Sequence, residues 1–317
     1  MHYDLFNGDA DGILSLHQLR LANPKDSHLV TGLKREVRLL ERIKTGVDDS
    51  VTVLDISLDR NRTGLMRVLQ SGARVVYFDH HYAGEIPESD CLTPYIDTHA
   101  NICTGLLVDR HLDGAHRDWA VSAAFGDNLF ASAHAAAKRL DLTSRQLEQL
   151  EMLGTLVNYN GYGETEDDLY FQPVDLYRLI QPHRNPFSFI EEECAFQVLL
   201  QGYQDDIEQV SQYKPYQKDA RSIVYRLPDA TWARRVSGVW GNIIARQNPD
   251  FASVILREQA QGGLKVSMRA PLNQKRDADT ICRQFEGGGG RAAAAGIGHL
   301  PEKDLGTFMH LIHSTYR

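Results

Sequence analysis

The sequence predicts an α/β protein. A doubly wound, mostly parallel sheet with helices on both faces comes first, and a smaller C-terminal α/β domain follows. Three observations predict it. Short β-branched and aromatic runs alternate with helical patterns from Met1 to about Ala133, the pattern expected where parallel strands are joined through helices. Three of those runs end in groups suited to chemistry, at Asp9 and Asp11, at Asp55, and at Asp79-His80-His81. After Tyr213-Lys214-Pro215-Tyr216 the chain starts a second strand–helix–strand series, which marks a second domain. The expected division is a first domain over 1–212, helical from about 119, a linker over 213–220 and a second domain over 221–317.

In order, His2 to Phe6 reads as a strand, Asn7 to Gly12 as a turn and Ile13 to Leu21 as a helix stopped by Asn23-Pro24. His28 to Thr31 is the second strand, Glu36 to Ile43 a helix, Val51 to Leu54 the third strand and Asn61 to Leu69 a helix. Val75 to Phe78 is the fourth strand, short and apolar as buried parallel strands are. From Trp119 the pattern is helical: Ala120 to Phe125, Ala131 to Leu140, Ser144 to Val157, and one long stretch from Phe189 to Val210. Asp127 follows the first of these in Gly126-Asp127-Asn128, where the plain structural role is an N-cap for the helix that follows. Asn158 to Gly163 is a turn-rich break, either a substrate-facing loop or a helix stop. In the second domain Ser222 to Arg226, Phe251 to Arg257 and Leu264 to Arg269 read as strands, with helices over Trp232 to Arg246 and Ala278 to Phe285. Gly262-Gly263 signals a hairpin, and Gly287 to Gly296 reads as a glycine- and alanine-rich loop.

Composition narrows the class. At 42% hydrophobic and 24% charged residues the 317-residue chain is that of an ordinary globular protein. No apolar run reaches signal-peptide or membrane-span length, and Cys91, Cys103, Cys194 and Cys282 form no Cys-x-x-Cys. The expectation is a cytoplasmic protein without a thiolate zinc site or a disulfide framework. The net charge of −8 is divided unevenly: residues 218–317 carry +6 and residues 1–217 carry −14. An acidic half that holds cations and a basic half that holds a phosphate-bearing partner would give that division.

The acidic strand ends carry the chemistry. If the sheet is parallel, Asp9, Asp11, Asp55 and Asp79-His80-His81 meet on one edge. Carboxylates gathered in a small volume repel one another strongly unless a cation lies among them. A metal site follows from that convergence. In the second domain Gly288, Gly289 and Gly290 can present backbone N–H groups to an anion, and Arg291 beside them offers a planar fork for phosphate oxygens.

With these residues assembled, the chain resembles the DHH phosphoesterase superfamily, which includes RecJ-type nucleases, nanoRNases, family II pyrophosphatases and exopolyphosphatases. Asn7-Gly8-Asp9-Ala10-Asp11-Gly12 resembles the first motif, Leu54-Asp55-Ile56-Ser57 the second and Phe78-Asp79-His80-His81 the third. Phe125-Gly126-Asp127-Asn128 stands where the fourth motif's Asp is expected, and Asn101 to Gly105 resembles the small-residue helix start between the third and fourth. Lys265 to Arg269 and Gly288 to Gly296 resemble the Arg-bearing strand and glycine loop of the DHH-associated substrate domain.

The resemblance implies two divalent cations, usually manganese, with Mg²⁺ as the alternative. It implies Asp55 as the bridge between them, Asp11, His80 and Asp127 on one ion, and Asp9 on the other. It implies Asp79 as orienter of the histidines, His81 as the group that meets the phosphate or protonates the leaving group, and Arg269 and Arg291 as phosphate contacts. Two positions depart from the family pattern. Leu5 stands where many members carry a His, which leaves the second ion short of a ligand unless His2 or His99 supplies one, and Arg291 stands at the glycine-loop His. The expected function is hydrolysis of phosphodiester bonds in short oligonucleotides or dinucleotides. The alternatives are a phosphoanhydride hydrolase acting on polyphosphate or pyrophosphate, and a non-catalytic nucleotide or nucleic-acid binder. A homodimer is compatible with the sequence.

Overall fold

The computed structural model describes Met1 to Tyr316 and divides into two compact units, Met1–Gln201 and Gly202–Arg317. In the first, strand β1 (His2–Phe6) leads into helix α1 (Ala10–Ala22), and β2 (His28–Val30), β3 (Ser50–Leu54), α2 (Leu58–Gln70), β4 (Arg74–Asp79) and β5 (Leu92–Ile96) follow. The five strands form one wholly parallel sheet in the order β2-β1-β3-β4-β5. The side-chain alternation of a strand sets its two faces. Leu5, Val53, Tyr77 and their neighbours on one face form a buried core with Leu58, Leu65 and Val68 of α2. From the other face Asp4 meets Arg20 of α1.

Helices α3 (Thr104–His111), α4 (Arg117–Gly126), α5 (Phe130–Ala137), α6 (Ser144–Asn160), α7 (Pro173–Ile180) and α8 (Pro186–Glu192) complete this unit, and α9 (Cys194–Ser211) carries the chain onward. The long helical stretch expected over Phe189 to Val210 is broken, because Glu193 is extended with φ −96° and ψ 121° and ends α8.

Two further expectations are corrected. Glu36 to Ile43 is no α-helix; only a 3₁₀ turn over Leu39–Arg42 forms there. Side chains of α2 take the backbone groups that a helix would have paired. Asn61 accepts from the Leu40 amide and donates to the Val37 carbonyl, while Arg67 donates to the carbonyls of Leu40 and Ile43. β5 has no clear strand pattern in the sequence because Pro94 interrupts it, and proline is tolerated there because β5 is an edge strand.

In the second unit β6 (Gln217–Lys218), β7 (Ser222–Leu227), α10 (Thr231–Gln247), β8 (Ala252–Glu258), β9 (Leu264–Arg269), α11 (Ala278–Cys282), β10 (Gly288–Arg291), β11 (Ala294–Leu300) and α12 (Leu305–Thr315) build a six-stranded sheet. Its order is β10-β11-β9-β8-β7-β6, with β7 and β8 parallel and the other pairs antiparallel. The glycine-rich run is therefore a hairpin with β10 on the sheet edge, and not an open loop. A Cβ on Gly288 would collide with the Cys282 carbonyl oxygen. Gly290 has φ +141° and would meet the Ala295 backbone at 2.5 Å, so both glycines are required by packing whatever else they do.

Candidate metal centre

Register brings the predicted groups together. Phe6, Leu54 and Phe78 lie side by side across β1, β3 and β4. The residues that follow them therefore leave the sheet from one row, at the carboxyl edge where open sheets place their sites. Gly12 lets α1 begin directly above β1, since a Cβ there would collide with the Asn7 carbonyl oxygen. Asp9 caps α1 by accepting from the Gly12 amide at 3.1 Å. Asp55 holds φ at +58°, a left-handed conformation uncommon for a residue other than Gly, Asn or Asp.

His80 is the hub. Its Nδ1 donates to the Ile102 carbonyl at 2.9 Å, which fixes the ring and turns Nε2 towards the carboxylates. Three carboxylate oxygens face that Nε2: Asp55 Oδ1 at 3.4 Å, Asp127 Oδ2 at 3.8 Å and Asp11 Oδ2 at 3.9 Å. These separations are too long for good hydrogen bonds. They approach the spacing of roughly 3 Å between donors that share an ion with bonds of about 2.1 Å. Asp11 is held by the start of α3, where Thr104 and Gly105 donate their amides to its two oxygens at 2.7 and 2.8 Å. Thr104 also donates its hydroxyl to Asp55 at 3.2 Å. Asp127 is the C-cap of α4 rather than an N-cap of the next helix.

Electrostatics shows what the donor set lacks. Burial first, then the charges of Asp11, Asp9, Asp127 and Asp79, raise the Asp55 pKa well above the ordinary carboxylate value. Burial likewise raises that of Asp11; the His80 imidazole opposes it, but Asp127 and Asp9 add to it. Carboxylates in that condition either take up protons or are neutralised by a cation. Oxygen ligands with one imidazole suit Mn²⁺ or Mg²⁺. On chemistry and geometry Asp11, Asp55, His80 and Asp127 fit a divalent ion.

The remaining predicted residues separate into distinct roles. Asp79 is wholly buried and bonds His81 Nδ1 at 2.7 Å, so it orients His81, whereas the Ile102 carbonyl orients His80. Among the described residues the tightest group of possible ligands is Asp55, His80 and His81, with donor atoms within 4.8 Å of one another. Asp79 holds His81 Nδ1 much as the Ile102 carbonyl holds His80 Nδ1. Asp9 pairs with Lys34, Oδ2 to Nζ, at 2.7 Å. Leu5 is fully buried in the apolar core, and neither histidine offered as a substitute joins the centre. His2 bonds Ser50 and Asp4 within the strands, and exposed His99 bonds Asp97.

In the second unit Arg269 is tied to Asn242, Ser267 and the carbonyls of Met268 and Gly238. Arg291 is exposed on β10 beside Gly288, Gly289 and Gly290.

Three contributors have no individual role assigned from the sequence: Thr104, Lys34 and Asn158. Thr104 lies in the small-residue motif Asn101 to Gly105 and opens α3, which is signal enough. Lys34 follows β2, whose end lies on the same sheet edge, so topology alone could have nominated it. Asn158 accepts from Lys34 at 2.8 Å from the last turn of α6. The turn-rich break after it belongs to the centre's wall, since Lys34 lies 5.2 Å above the Tyr162 ring centroid.

No protein-family model matches the chain, and no curated protein matches it. Solved structures do. RecJ from Thermus thermophilus in complex with Mn²⁺ aligns with a TM-score of 0.66 at 16% identity, over 99% of this chain and 52% of that one. The exonuclease RecJ bound to manganese aligns with a TM-score of 0.61 at 16% identity, over 99% and 89%. PggH, a pGpG-specific phosphodiesterase from Vibrio cholerae, aligns with a TM-score of 0.56 at 12% identity, over 99% and 98%. The chain spans about half the length of the first of these. It has the fold of RecJ.

Proposed function

We propose that the chain is a divalent-metal-dependent phosphoesterase of the DHH superfamily that hydrolyses phosphodiester bonds in short oligonucleotides or dinucleotides. The observation that carries this reading is the convergence of Asp11, Asp55 and Asp127 on His80 Nε2. An ion held there, Mn²⁺ or Mg²⁺, would lower the pKa of a bound water and polarise a phosphoryl oxygen. His81, held by Asp79 and partly exposed, faces substrate and carries the proton that the leaving oxygen requires. Arg269 and Arg291 bind the remaining phosphate, without the Gly288 amide, which donates to the Phe285 carbonyl at 3.0 Å.

Dinucleotides and short oligonucleotides are the substrates this reading favours. The likeness to a pGpG-specific phosphodiesterase over 98% of that chain's length supports the same size class. The four cysteines are free thiols, which suits a cytoplasmic enzyme. No described helix is long and apolar enough to cross a membrane. The test is a side-by-side assay with Mn²⁺ of dinucleotides, longer oligonucleotides, cyclic dinucleotides, polyphosphate and 3′-phosphoadenosine phosphate. Release from dinucleotides and short oligomers ahead of the rest is expected. Preference for polyphosphate would assign the chain to the phosphoanhydride hydrolases, and no turnover of any substrate would make it a binder.

A further inference from the structure

Lys34 is placed directly against one of the centre's carboxylates. Its ammonium meets Asp9 Oδ2 at 2.7 Å and Asn158 Oδ1 at 2.8 Å, and it lies over the Tyr162 ring at 5.2 Å from the centroid. An ammonium has three N–H donors, so these two hydrogen bonds leave one uncommitted. The side chain is 29% exposed. Asp9 is almost fully buried, and its other oxygen is spent on the Gly12 amide. A dication on Asp9 would share its oxygen with an ammonium already in contact, and like charges at that range exclude one another. Leu5 offers no ligand on that side.

We propose that the Lys34 ammonium stands in the place of a second divalent ion. The centre then holds one ion per chain, on Asp11, Asp55, His80 and Asp127, and Lys34 offers its remaining N–H to a phosphate oxygen of the substrate. Asn158 and Tyr162 are positioning residues for that ammonium. The proposal rests on the phosphoesterase reading and adds to it the charge that partners Asp9.

Calorimetric titration of the full chain with Mn²⁺ tests it by stoichiometry, without recourse to activity. The wild type is expected to bind one ion per chain. Lys34→Met, which keeps the stem and removes the charge, is expected to bind two, the second more weakly. Asp9→Asn, whose side chain can still cap α1, is expected to keep one. Two ions in the wild type, one in Lys34→Met, or loss of the tight ion in Asp9→Asn would each overturn the proposal while leaving the phosphoesterase reading in place. No ion in the wild type would overturn both.

Discussion

Asp4 and Asp55 are both buried carboxylates of the same parallel sheet, and they meet opposite surroundings. Asp4, inside β1, accepts from Arg20 Nε at 2.8 Å, Arg20 Nη2 at 2.5 Å and Ser27 at 2.7 Å, and lies 3.0 Å from His2 Nε2. Burial alone would raise its pKa, but Arg20 and His2 more than offset it and hold the group well below the usual carboxylate range. Asp55, at the end of β3, is buried among four other aspartates, and its pKa is pushed the other way. The protein has thus settled one charge internally and left the other to be settled by something from solution. A buried carboxylate therefore marks a site only when its counter-charge is missing from the fold.

The largest effect that would sharpen this comparison is on turnover. His80→Ala, Asp55→Asn and Asp127→Ala are each expected to lower kcat by more than the roughly 100-fold typical of a residue that merely orients a metal ligand. Their circular dichroism should remain that of the wild type. Near-normal turnover by Asp127→Ala would reduce that residue to the cap of α4. At the paired pole the loss should instead be in stability. Asp4→Ala leaves the Arg20 guanidinium buried without its partner and is expected to cost about 3–5 kcal/mol in urea unfolding, the same with Mn²⁺ as with chelator. A cost that vanished with Mn²⁺ would show that the two poles are not independent.

Much of this division is legible in the sequence. Strand ends can be read because β-branched runs stop abruptly at Asp9, Asp55 and Asp79, and a parallel sheet gathers such ends on one edge. The failures have a common cause, which is that tertiary partners replaced local ones. Residues 36–43 have a helical pattern, yet Asn61 and Arg67 claim their backbone groups from a different element. The glycines of β10 read as a loop because the crowding by Cys282 and Ala295 that requires them comes from elsewhere in the chain. Lys34 lies in a polar segment with no pattern of its own, and only its meeting with Asp9 distinguishes it from a surface lysine. Asp4 escapes notice for the reverse reason: a single Asp inside an apolar strand gives no hint that Arg20 lies within reach.

Ligand linkage gives the next effect. Binding to the folded chain alone stabilises it by about 2.7 kcal/mol at a free ion concentration a hundredfold above Kd. Thermal unfolding should show that gain for the wild type, and none for His80→Ala. An equal gain in both would place the ion elsewhere and dissolve the contrast between the poles.

The smallest effect, and the most direct test of the contrast, is in pH. In the presence of chelator the two aspartates should give slopes of opposite sign, neither steeper than about 1.4 kcal/mol per pH unit for a single proton. Asp4 has a folded pKa below its unfolded value of 3.8. Its contribution is complete above that value and is lost as the pH falls through the folded pKa. Asp55 has a folded pKa well above the same unfolded value. The folded chain then binds the proton more readily than the unfolded chain, so its contribution is complete below 3.8 and is lost as the pH rises through the folded pKa. Urea unfolding with chelator across the acid-to-neutral range, on wild type, Asp4→Asn and Asp55→Asn, separates the two. Asp4→Asn should remove part of the acid-side loss. Asp55→Asn should flatten the loss towards neutral pH and leave the metal-free chain at least as stable as the wild type there. If Asp55→Asn instead destabilised the metal-free chain at neutral pH, its carboxylate would have found a counter-charge within the fold, and the two poles would be alike.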